Sequence, residues 1–176
     1  VTEVLDAFRT KQLSPVEYLH ALIERIEVAQ PQVNALGDTY FDEALVQARQ
    51  AADRYAGRGE RPRPLEGVPV VVKDETEVAG KRTTNGSLLY AESIAEQSDP
   101  FVERLVDAGA IIHARGLTPE FSVPFWTHSR LWGVTRNPWN TAYDVGGSSG
   151  GSAAALASGM TPLATGSDIG GSIRVP

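Results

Sequence analysis

The sequence predicts an α/β domain with a largely parallel sheet, on two observations. Segments with helical spacing of apolar residues alternate with short Val- and Ile-rich runs, GVPVVVKDE and AIIHAR, as βαβ-type layering requires. The 176 residues are 41% hydrophobic and 22% charged, the composition of a globular chain long enough to bury one core. Residues 1–176 are read as a single domain, with N-terminal helices over about 2–55 and a core from about 66 to 176.

The elements follow in order. In LSPVEYLHALIERIEVAQ, Ser14, Pro15 and Glu17 stand where a capping box places its cap, its N1 proline and its N3 glutamate. Leu19, Leu22, Ile23 and Ile26 then form a stripe that buries one helix face. A second helix is expected from Asp42 to about Tyr55, where AGRGERPRP ends it in a surface loop. GVPVVVKDE reads as a buried strand with Lys73 and Asp74 at its C-terminal end, followed by the loop VAGKRTTNGS. DPFVERLVDAG reads as a helix capped by Asp99 and stopped at Gly109, and AIIHAR as another buried strand. Leu117 to Asp144 reads as loop, with three prolines and all three tryptophans (Trp126, Trp132 and Trp139), which suit packing or a pocket wall. SAAALASGM is a short small-residue helix, and TPLATGSD passes from strand to loop.

Composition also excludes function classes. A net charge of −6 without a basic tract gives no reason to expect nucleic acid or an anionic membrane as partner. With no cysteine there is no disulfide, thiolate catalyst or cysteine-based zinc site, which suits the cytoplasm. No apolar run approaches the ~20 residues of a membrane-spanning helix, and VTEVLDAF lacks the layout of a signal peptide. His20 is expected on a helix flank, His113 in a strand and His128 in a loop. No two of them have metal-ligand spacing, so neither metal nor cofactor is expected.

The run GGSSGGSAAALASG, Gly146–Gly159, differs from a linker because it leads straight into an alanine-rich helix. Glycine ahead of a helix N-terminus brings backbone N–H groups and hydroxyls up to a ligand. Three readings stand: a phosphate cradle, a nucleophile turn, or tight packing. The first lacks the lysine of GxxxxGK[ST]. The second finds G-x-S-x-G in two frames, offering Ser148 or Ser149, but His20, His113 and His128 all precede the run, whereas an α/β-hydrolase places its histidine after it.

NPWNTAYDVGGSSGGSAAALASGMTPLATGSDIGGSIRVP, from Asn137 to Pro176, resembles the glycine-serine signature of the amidase signature family. GVPVVVKDE and the TTNGS of Thr83–Ser87 resemble that family's lysine strand and the loop after it. Ser172 lies 24 residues after Ser148 and 99 after Lys73, a spacing that also fits the family. The resemblance runs from about Leu5 to the last residue.

This resemblance implies a mixed, largely parallel sheet flanked by helices and a Ser–Ser–Lys triad. Ser172 would be the acylated nucleophile, Ser148 a bridging serine reached through a cis peptide from Gly147, and Lys73 the base. Ile169, Gly170 and Gly171, with the Ser172 N–H, would form the oxyanion hole; Ser149, Asp168 and Arg174 would hold the site together. The chemistry is coherent. A serine hydroxyl needs a positioned base, and a lysine serves as base once burial lowers its pKa. A hydroxyl that both donates and accepts can relay a proton between them.

The implied activity is hydrolysis of a small-molecule carboxylic amide through an acyl-enzyme. Alternatives are the A subunit of a glutamyl-tRNA amidotransferase and a non-catalytic piece whose glycines only pack. Glu75-Thr76 after the lysine-aspartate pair, and Leu117 ahead of Thr118-Pro119-Glu120-Phe121, depart from the amidotransferase pattern and favour a stand-alone amidase. Family members are several hundred residues long. The chain is therefore expected to be an N-terminal portion, inactive alone, whose incomplete sheet invites self-association.

Overall fold

The computed structural model describes all 176 residues. Five helices, α1 (Thr2–Arg9), α2 (Pro15–Val33), α3 (Phe41–Tyr55), α4 (Pro100–Asp107) and α5 (Gly150–Ala157), surround a three-stranded sheet. Its strands are β1 (Leu36–Thr39), β2 (Pro69–Lys73) and β3 (Ile111–Gly116), in the order β1-β3-β2. β2 and β3 run parallel, from Pro69 opposite Ile111 to Lys73 opposite Gly116, whereas β1 is antiparallel to β3. The sheet is therefore mixed. Along the free side of β2, the Val71 N–H donates to the Leu163 carbonyl (3.0 Å) and the Thr165 N–H to the Val71 carbonyl (2.9 Å), one parallel bridge in place of a further strand.

Local sequence explains most of these elements. The capping box of α2 is complete: the Glu17 N–H donates to Ser14 Oγ and the Ser14 N–H to Glu17 Oε2. α3 packs Ala44 and Ala48 against Leu19 of α2 and Ile111 of β3, small side chains that allow close approach. β2 is buried along its whole length, and alternation sends its valines to two cores. Val71 joins Ile26, Ala29 and Val33 of α2 and Ala154 and Ala155 of α5, while Val70 and Val72 join Val102 of α4.

Three local expectations need correcting. Asp99 sits at the N-cap of α4 without capping it, because its carboxylate accepts the Glu77 N–H (2.9 Å) and ties a loop instead; Gly109 beyond the helix does adopt a left-handed φ of +97°. The stretch LGDT forms β1 although glycine and aspartate are depleted in strands, since β3 presents an edge to pair with. The loop-like region carries two small ladders, β4 (His128–Ser129) with β5 (Gly133–Val134) and β6 (Arg136–Asn137) with β7 (Asn140–Asp144). His128 thus stands in a short strand, while His113 lies buried in β3 with its ring against Thr161 Oγ1, its pKa pushed down to about 4 by burial. No helix is long and apolar enough to cross a membrane.

Candidate active site

Pleat parity places the lysine. Lys73 shares the face of Val71, the one packed by α5, so its side chain runs toward the residues that begin that helix. Asp74 points elsewhere, accepting from the Thr84 N–H and hydroxyl and lying 3.7 Å from Arg115. Lys73 is fully buried, and its Nζ donates to Ser148 Oγ (2.9 Å) and Ser167 Oγ (2.8 Å). The Glu75 carboxylate lies 3.1 Å from the same nitrogen. Burial pulls the Lys73 amine below its ordinary value, and Glu75 opposes that pull without overcoming it. Burial likewise works to raise the Glu75 carboxyl, but the Ser122 and Ser167 hydroxyls and the Lys73 charge outweigh it and hold the carboxyl below its ordinary value.

Ser148 reaches Lys73 through the backbone ahead of α5. Gly146 has φ +88°, and the Gly147–Ser148 peptide bond is cis. The first turn of α5 lies against the end of β3, with the Gly151 N–H donating to the Leu117 carbonyl (3.0 Å). A Cβ at Gly151 would stand 2.1 Å from the Leu117 nitrogen, so only glycine permits this approach. Thr118 Oγ1 donates to the Ser148 carbonyl (3.1 Å) and so holds the next peptide, Ser148–Ser149.

Ser149 joins the two glycine-serine turns. Its hydroxyl donates to the Ser167 carbonyl (3.2 Å) and accepts the Ser167 N–H (3.3 Å), and its own N–H donates to the Ser172 carbonyl (3.0 Å). Asp168 organises the second turn by accepting from the N–H groups of Gly171 (2.7 Å), Ile173 (3.0 Å) and Arg174 (3.3 Å) and from the Arg174 guanidinium (2.7 Å). The Arg174 guanidinium and these N–H groups hold the Asp168 carboxyl well below the usual carboxylate range.

The structure thus brings Lys73, Ser148 and Ser149 together and ties Ser172 to them through its carbonyl. The half-buried Ser172 hydroxyl makes no hydrogen bond to Ser148 or Lys73. The oxyanion expectation changes in one respect: the Gly171 N–H is directed at Asp168 Oδ1, whereas those of Ile169, Gly170 and Ser172 have no protein acceptor. Sequence reasoning missed Ser167, although a hydroxyl beside Asp168 in GSDIGGS was a signal. It noted Glu75 as a departure without placing it near the lysine, though residues 73 and 75 share a parity. Exposed Phe125 borders Gly170 and Gly171 of the second turn, whereas the Trp126 backbone packs on Gly147 of the first. Trp132 instead packs inside, its Nε1 donating to Thr84 Oγ1 (3.1 Å), and Trp139 is exposed.

Fold and site define a mixed α/β domain in which a buried lysine is hydrogen-bonded to serines on two glycine-rich turns. A family model described as Amidase matches residues 17–176, and the chain belongs to that family. It is 41% identical to an acylamidase of Rhodococcus erythropolis, over 99% of this chain and 36% of that protein. It is 40% identical to the A subunit of a glutamyl-tRNA(Gln) amidotransferase from Carboxydothermus hydrogenoformans, again over 99% of this chain and 36% of that protein. The crystal structure of a bacterial aryl acylamidase of the amidase signature enzymes superposes with a TM-score of 0.93 at 31% identity, over 99% of this chain and 36% of that one. The chain therefore spans about a third of the length of the relatives it matches.

Proposed function

We propose that the complete protein hydrolyses a carboxylic amide through an acyl-enzyme on Ser172, with Ser148 and Lys73 as proton relay. The observation that carries this reading is the buried Lys73–Ser148 hydrogen bond of 2.9 Å, stapled by Ser149 to the turn bearing Ser172. Neutral Lys73 draws the Ser148 proton as Ser148 takes that of Ser172, whose Oγ bonds to the amide carbon. The carbonyl electron pair moves to oxygen, where the N–H groups of Ile169, Gly170 and Ser172 stabilise it. Collapse expels the amine, which takes its proton back from Lys73 through Ser148. Water then repeats the sequence on the ester, releasing the acid and restoring Ser172. An acylamidase and an amidotransferase component stand at similar identity, so likeness alone does not separate hydrolysis from amide transfer. Glu75, Thr76 and Leu117 favour the hydrolase. A fluorophosphonate probe on the complete protein tests the reading: labelling is expected and is lost in Ser172→Ala. Absence of labelling, or labelling that survives that substitution, contradicts it.

A further inference from the structure

Glu75 is a departure in sequence and an anomaly in geometry. A relay that needs a neutral amine has a carboxylate 3.1 Å from that amine, in a region where Lys73 is fully buried and Glu75 largely so. At such a separation, with little water between, an anion strongly favours the ammonium form. Glu75 also faces outward: it lines a cavity of about 470 Å³ with Thr83, Asn85 and Tyr90. It thus stands between the relay lysine and the solvent side.

Other charges near Lys73 are already engaged. On its own segment, Asp74 is held by Thr84 and Arg115. Across β3, Arg115 donates to the Thr76 carbonyl and Gly116 has no side chain. From the turn after residue 164, Ser167 is uncharged and Asp168 is bound to Arg174. α5 carries no charged residue, and from the segment after β3, Glu120 accepts from Ser87. Glu75 is left as the ionised partner of Lys73.

We propose that Glu75 is a positioning residue for the relay, its carboxylate holding the Lys73 amine beside Ser148 and Ser167 and setting the pH range in which Lys73 accepts a proton. The inference rests on the relay reading above. Removing the anion leaves burial unopposed, so Lys73 becomes neutral at lower pH.

The test is the rate of fluorophosphonate labelling of the complete protein against pH. Wild type is expected to label faster as pH rises, and Glu75→Gln to move the midpoint of that rise downward by about one pH unit or more. Glu75→Asp, which keeps the charge but withdraws it by one methylene, is expected to fall between the two. If Glu75→Gln does not fold, by loss of a cooperative melt, the Asp variant carries the test. A midpoint that stays at the wild-type value in the folded variants overturns the role of Glu75 while leaving the relay standing. Wild-type labelling that is absent, or indifferent to Ser172→Ala, overturns both.

Discussion

The two glycine-serine turns are alike in composition and opposite in environment. Ser148, on the first, is 1% exposed and bonded to a lysine with no exposure at all. Ser172, on the second, is half-buried among neighbours that are not: Ile169, Ile173 and Val175 are exposed, as is Arg174. The first turn is fixed by packing, with the α5 backbone pressed against the end of β3 at Gly151. The second is fixed by one carboxylate, Asp168, collecting three N–H groups and a guanidinium. Under the proposed relay the difference divides the labour: burial depresses the lysine that would act as base, while Ser172, the proposed nucleophile, stays on an open turn that a substrate can reach.

Lys73→Ala should break the buried half most severely. Labelling should fall by roughly 10²- to 10⁴-fold, the usual scale of a lost general base. The sign with pH follows from the depressed amine. Lys73 is protonated and useless as a base below its folded value and competent above it, so wild-type labelling rises with pH whereas Lys73→Ala stays flat. Labelling rates across neutral and alkaline pH check both statements.

Asp168→Asn attacks the other half. Loosening the turn should slow labelling by roughly 10- to 10²-fold, the scale of a small misplacement of reacting groups. The melting temperature should hardly change, because the Asp168–Arg174 pair is a surface one. The carboxyl is held below its ordinary value, so its support is complete above the ordinary carboxylate range. That support is lost only as pH falls through the depressed value, so the turn keeps its pins across neutral pH.

Gly151→Ala should report on packing. Its Cβ would meet the Leu117 nitrogen at 2.1 Å, and overpacking of this kind costs about 1–3 kcal/mol, readable as a lower urea midpoint. The smallest effect belongs to Ser14→Ala, far from either turn: loss of the capping box should cost about 1 kcal/mol and leave labelling unchanged.

What the sequence made legible follows the same division. Ser14-Pro15-Glu17, the valines of β2 and the Gly109 stop are local signals, and local physics decides them. β1 was illegible because LGDT is a strand only by virtue of the β3 edge beside it. Asp99 misled because a carboxylate at a cap position is free to serve another chain segment, here the Glu77 N–H. At the candidate site, Lys73, Ser148, Ser149, Asp168 and Arg174 were named from the motifs and the family resemblance, and the structure shows each hydrogen-bonded to residues of the two turns or of β2. Ser167 and Glu75 were not, since their importance lies in distances to Lys73 that cross 94 and 2 residues of sequence respectively. Gly171 was assigned to the oxyanion hole from the family resemblance, and a motif does not reveal which way an N–H points: here it is directed at Asp168 Oδ1.

The central claim, that the open turn supplies the nucleophile and the buried turn only the relay, is tested most directly by locating the adduct. Brief exposure of the complete protein to a fluorophosphonate, followed by peptide mapping by mass spectrometry, should place the phosphonyl group on Ser172 and leave Ser148 unmodified. An adduct on Ser148, or on both serines at comparable rates, would contradict the account.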